Sequence, residues 1–260
     1  MSKPANHPSP KSRKWKWIIT SLLAIGGVTA LCFWFSGATF RNSDPAFRGK
    51  PESEWVKNLK YWDDEQVKEW RGYGEEGVQV LIRGLQHAAH PGERTTRLCL
   101  VSLLSSLGND AKSATPIMIW TLVHDEDDEV RQSTIRFFTS SEDEKKCLLN
   151  QLPAAQKREL LPALIRSLQN TGDWGVRNNA ADALKWFPEE KTVVAPALVV
   201  ALQDPQPQVR LLAAEALKQV DPEAATKANA VAIVLALTKD PDDQVAARAI
   251  SALRSFKATK

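Results

Sequence analysis

The sequence predicts an all-α protein, a right-handed α-solenoid of about five helical hairpins preceded by one transmembrane helix. Three observations predict it. One phrase returns five times, as TRLCLVSLL at 96–104, VRQSTIRFF at 130–138, VRNNAADAL at 176–184, VRLLAAEAL at 209–217 and VAARAISAL at 245–253. A second apolar phrase alternates with it. Residues 17–35 form an uncharged apolar run near the amino terminus.

The amino-terminal 36 residues carry five basic groups, Lys3, Lys11, Arg13, Lys14 and Lys16, and no acid. Residues 1–16 therefore read as a basic tail. From Trp17 to Phe35 there are 19 residues without charge, close to the ~20 that span a bilayer. Nine of them are Leu, Ile, Val or Phe, which together favour insertion by roughly 3 to 5 kcal/mol. Trp15, Trp17 and Trp34 suit the two interfaces. The positive flank keeps the amino terminus in the cytoplasm, so the remaining chain faces the other side. In a bacterium that is a single-pass inner-membrane protein with a periplasmic domain. The alternative is a signal peptide cleaved near Ala38, after Ser36-Gly37. The run is longer than the roughly 7–15 residues of a signal core, and Leu31 before Cys32 does not fit a lipoprotein signal.

Of 34 basic groups, 29 remain beyond that tail against 31 acidic ones, a net of −2. A surface that grips phosphate backbones needs clustered positive charge, so nucleic acid is not expected as a partner. Three cysteines, Cys32, Cys99 and Cys147, make no disulfide framework. Cys99 and Cys147 fall at apolar helix positions and read as buried thiols. Residues 36–51 read as a linker without apolar period. Residues 52–74 read as a helical cap, with Trp55, Leu59 and Trp62 on one face, because the open end of a repeat stack needs covering.

The solenoid itself spans 75–256. In VRLLAAEALKQV the apolar residues Val209, Leu212, Ala213, Ala216, Leu217 and Val220 form one helical stripe. Asp204-Pro205 and Asp240-Pro241 read as start signals for the helices that follow them. Copies begin at Thr96, Val130, Val176, Val209 and Val245, spaced 34, 46, 33 and 36 residues apart. A period of that size means stacked helical units. The second phrase runs PIMIWTL (116–122), PALIRSL (162–168), PALVVAL (196–202) and VAIVLAL (231–237), with VLIRGL (80–85) before them. Each unit is a helix A, carrying the first phrase, and a helix B, carrying the second. One pair cannot bury its stripe alone, so neighbours supply the core for one another.

The A-x-x-x-V-R-x-x-A-A-x-A-L character resembles HEAT repeats, in particular the short kind named after phycobilisome lyases, over roughly residues 75–256. The cap is similar to the segment joining anchor to repeats in bacterial membrane-bound HEAT proteins. The resemblance implies that the repeated Arg97, Arg131, Arg177 and Arg210 stack with acids in an Arg–Asp ladder, and that the B helices line the concave face. It also carries an alternative function, a lyase-like enzyme or chaperone acting on a protein-bound chromophore. The copy at 130–138 departs from the pattern. Thr134, Ile135, Phe137 and Phe138 stand in place of small residues, and an insertion of about a dozen residues within 140–155 adds a short helix.

The sequence offers no catalytic constellation and no cofactor motif; G-x-S-x-G, P-loop, H-E-x-x-H and C-x-x-C are all missing. His87 and His90 stand i, i+3 at a helix end without a third ligand, so no metal is expected. The run DEDDE at 125–129 has Val130 where an EF-hand loop needs Gly, and reads as acids opening a helix. No small-molecule substrate is evident. The expectation is a scaffold rather than an enzyme, one that holds another protein, a component of the cell envelope. The candidate partner-binding residues are Arg83, Trp120 and Arg166, in a variable column of the B helices continued by Val200 and Leu235, and Trp174 and Trp186, which break the repeat. The Trp pair suggests an exposed aromatic patch; packing against the insertion is the competing reading, and Trp120 equally suits the core.

Overall fold

The computed structural model describes residues 44–61, 63–88, 93–139, 147–170 and 172–257. The apolar segment 17–35, Cys32, Trp62 and His90 lie outside the described residues. Among the described residues no helix is long and apolar enough to cross a membrane. The chain divides into two units, residues 1–52 and 53–260.

In the first unit the sequence predicts linker throughout 36–51, and the structure adds a small antiparallel pair. Strands β1 (Ala46–Phe47) and β2 (Lys50–Pro51) pair in the register Ala46↔Pro51, Phe47↔Lys50. Arg48 and Gly49 both take positive φ, 48° and 80°. A two-residue hairpin whose turn matches the twist of its strands needs that geometry, and Gly49 supplies half of it without strain.

The regular structure described in the second unit is helical. The cap is α1 (Glu52–Lys57) and α2 (Asp64–Gly72). The expected single helix carrying Trp55, Leu59 and Trp62 breaks at Lys57, because Asp63 caps a new helix by accepting the Gln66 N–H at 3.0 Å. Leu59 thus falls between helices. Trp55 instead joins Trp70 and Tyr73 in a cluster of edge-to-face rings with centroids 5.6–6.0 Å apart. Next come α3 (Gly74–His87), α4 (Arg94–Leu107), α5 (Thr115–His124), α6 (Asp128–Thr139), α7 (Leu148–Gln151) and α8 (Ala154–Leu168). They are followed by α9 (Trp174–Leu184), α10 (Lys191–Ala201), α11 (Pro207–Val220), α12 (Pro222–Lys227), α13 (Ala230–Leu237) and α14 (Asp243–Lys257).

The A phrases lie on α4, α6, α9, α11 and α14, and the B phrases on α3, α5, α8, α10 and α13. Each A helix packs against the B helix that precedes it in the chain, and successive A helices contact one another. The shared interior is built from the repeated apolar positions: Val130, Val176 and Val209 are fully buried, as are Leu184 and Leu217. The insertion contributes the short α7, and its Cys147, Leu148 and Leu149 are buried too. Larger residues in the copy at 130–138 are absorbed rather than expelled. Phe137 and Phe138 pack edge to face in the core, and the Thr134 hydroxyl donates to the Val130 carbonyl at 2.7 Å.

The turns between units carry one device. Asp125, Asn170, Asp204 and Asp240 each accept, through a side-chain oxygen, the backbone N–H two residues on, at 2.8–3.0 Å. Asp204 and Asp240 are therefore used in the turn, and α11 begins at Pro207 and α14 at Asp243, two to three residues later than the Asp-Pro signals suggest. Within DEDDE, Asp127 accepts from the N–H groups of Glu129 and Val130 at 3.1 and 3.0 Å, the helix-opening role expected of that run.

Candidate functional site

The ladder implied by the resemblance forms two rungs. Arg97 Nε lies 2.7 Å from Asp125 Oδ2, and Arg177 Nε lies 2.6 Å from Asp204 Oδ2, all four side chains being largely buried. The carbonyls of the same acids take the next arginine: Arg131 donates to Asp125 O at 2.9 Å and Arg210 to Asp204 O at 2.8 Å. Between the rungs Asn170 stands at the acid's position, and Arg131 turns to Asp128 instead. In the last copy Ala246 replaces the arginine. Neither ladder arginine is available to a ligand, so these residues set the stacking of the units.

The ladder holds the A helices side by side, and Ala180, Ala181, Ala213 and Ala214, all fully buried, let them approach closely. Over α6, α9, α11 and α14 that row forms a groove of about 830 Å³. The resemblance implies that the B helices line the concave face; this groove lies on the A row. Numbering the phrase from its Val or Thr, the groove is lined mainly by positions four, seven, ten and eleven, which are the positions the repeat leaves free. Position four contributes Asn179, Leu212 and Arg248, position seven Asp182 and Glu215, and position ten Thr139, Lys185 and Lys218. Position eleven contributes Trp186, Gln219 and Ser255. Spacings of three and four residues put these side chains on one helix face.

The groove carries paired charges. Lys185 Nζ lies 2.7 Å from Asp182 Oδ1 and 5.4 Å from the centre of the Trp186 ring. Arg248 Nη2 reaches Glu215 Oε2 at 3.4 Å. Lys218 donates to the Ser255 carbonyl near the end of α14 and lies 4.9 Å from the centre of the Phe256 ring. Burial pushes the Glu215 carboxyl above its ordinary value; Asp182 adds to the shift, while Arg248 and Lys185 oppose it.

The expected site residues are only partly brought together. Trp186 lines the groove but is 8% exposed, so it is a wall and not an exposed ring. Trp174 is 45% exposed at the start of α9. Twelve residues of helical rise put it roughly 18 Å away along the axis, and the expected two-tryptophan patch does not form. The B column does face outward in the last three units: Arg166 is exposed and donates to the Val123 carbonyl at 2.7 Å, Val200 is 71% exposed and Leu235 57%. Arg83 is half-buried, and so is Trp120, which stacks on the His124 ring at 4.9 Å. Among the described residues no group of three His, Cys, Asp or Glu side chains is placed to hold a metal ion. The groove lining holds neither His nor Cys.

Residues 194–222, from α10 through α11, match the HEAT repeat family. A solved crystal structure of an engineered protein is similar over 80% of this chain at 17% identity and a TM-score of 0.47. The chain spans 61% of that protein's length. No curated protein matches the chain. The repeat and the helical stack define a helical-repeat protein, and HEAT repeats generally mediate protein–protein interaction.

Proposed function

We propose that this chain is a membrane-anchored helical-repeat scaffold that binds another protein of the cell envelope, on the extracytoplasmic side. One observation carries the binding reading: the groove on the A row is lined mainly by positions that vary from copy to copy, beside the Val, Ala and Leu positions that repeat. A stack needs its Val, Ala and Leu to repeat in order to pack; it has no such need at positions four, seven, ten and eleven. A continuous concavity lined by varying positions, with amides, paired charges and one indole edge, suits recognition of a polypeptide better than chemistry. The anchoring half of the proposal rests on the uncharged run 17–35 and its basic flank.

Filling the groove tests the reading. Asn178→Trp with Gln219→Trp places two indoles on its lining, while Val200→Ser with Leu235→Ser alters the B face. From detergent-solubilised membranes, the partner is expected to be lost from the first variant and kept by the second. Retention by the groove-filled variant would overturn the proposal.

A further inference from the structure

We infer that the groove takes an acidic polypeptide segment, with carboxylates set among apolar side chains. The inference rests on the groove being the binding face and adds what that face selects. Its lining holds three cations, Lys185, Lys218 and Arg248, against two acids, Asp182 and Glu215. The acids are consumed within the protein: Asp182 is closed by Lys185, and Glu215 lies under Arg248. In the second pair the guanidinium is the outer member, 56% exposed against 30% for the carboxylate. Lys218 meets no carboxylate within ion-pair distance among the described residues; a backbone carbonyl and the Phe256 ring hold it in place. The rim therefore presents two held cations, Lys218 on α11 without a carboxylate partner and Arg248 on α14 lying outside a less exposed Glu215. Between and below them, Leu212, Ala216 and the edge of Trp186 form an apolar floor. A segment that sets carboxylates on Lys218 and Arg248 and an apolar side chain on this floor satisfies both features. An arginine- or lysine-rich segment meets the rim with like charge.

The test uses the full chain in mild detergent and fluorescence anisotropy of two labelled peptides. One alternates Glu with Leu and the other alternates Lys with Leu. The acidic peptide is expected to bind and the basic one not. Lys218→Glu with Arg248→Glu is expected to weaken the acidic peptide about tenfold or more. Lys239→Glu, on the loop after α13, is expected to leave it unchanged. Equal binding of both peptides, indifference to the double charge reversal, or equally tight binding of oligothymidylate would overturn the inference. If Asn178→Trp with Gln219→Trp removes the native partner yet the acidic peptide does not bind, the groove reading survives and the charge assignment fails. If that variant keeps the partner, the groove reading itself fails.

Discussion

Arg177 and Asp204 meet at 2.6 Å, the guanidinium on α9 and the carboxylate in the turn before α11, with side-chain exposures of only 10% and 8%. The contact joins successive units, and the Asp204 side chain and carbonyl together bind Arg177, Arg210 and the turn N–H of Gln206. Removing the acid strands a buried cation. Asp204→Ala is therefore expected to cost about 3–5 kcal/mol, whereas Arg210→Ala, which gives up only bonds to carbonyls, costs about 1 kcal/mol. Urea unfolding followed by circular dichroism reads the difference; equal costs would show that the rung adds little.

The two tryptophans flanking the copy at 176–184 are expected to behave oppositely. Trp186 is walled in beside the groove, so Trp186→Ala leaves a cavity and costs roughly 3–5 kcal/mol. Trp174 stands out at the first turn of α9, and Trp174→Ala stays within about 0.5 kcal/mol. Thermal unfolding of the two single variants checks this.

Glu215 gives the stack a pH dependence of definite sign. Its folded pKa lies above the unfolded value, chiefly through burial, with Asp182 adding to it and Arg248 and Lys185 opposing. A raised carboxyl pKa means the ionised form is a cost above the folded pKa, relieved as pH falls through it and gone below the unfolded value. Glu215→Gln is accordingly expected to raise stability at neutral pH, with the gain shrinking in mild acid. A gain independent of pH would contradict the assignment.

Cys99 and Cys147 are expected to react slowly with a thiol-specific disulfide reagent in the folded state. Burial pushes both thiols above their ordinary value and so lowers the thiolate fraction. Unfolding in urea should release both to rapid reaction. Fast labelling of either cysteine without denaturant would show that its helix opens readily.

How much of this was legible beforehand depends on whether packing or assembly set the feature. Val209, Ala213, Ala216 and Leu217 had to recur for each unit to floor the next, so periodicity alone exposed the hairpins. The ladder rested on resemblance, and Asn170 and Ala246 mark where it stops. The groove was harder to see, because it is assembled from the side chains of four helices that are far apart in sequence. Its signal was nonetheless present: Trp186 shares position eleven with Gln219 and Ser255, the column that turned out to face the groove. Its burial was not readable from the register of its own helix. The hairpin at 46–51 was missed because two residues per strand carry no alternation to detect.

The central claim is that partners meet the A row and not the B face. Photo-crosslinking in intact cells tests it most directly, with a benzophenone amino acid placed singly at Asn178, Gln219, Val200 or Leu235. The account predicts protein adducts from Asn178 and Gln219 and none from Val200 and Leu235. Adducts confined to Val200 and Leu235 would contradict it.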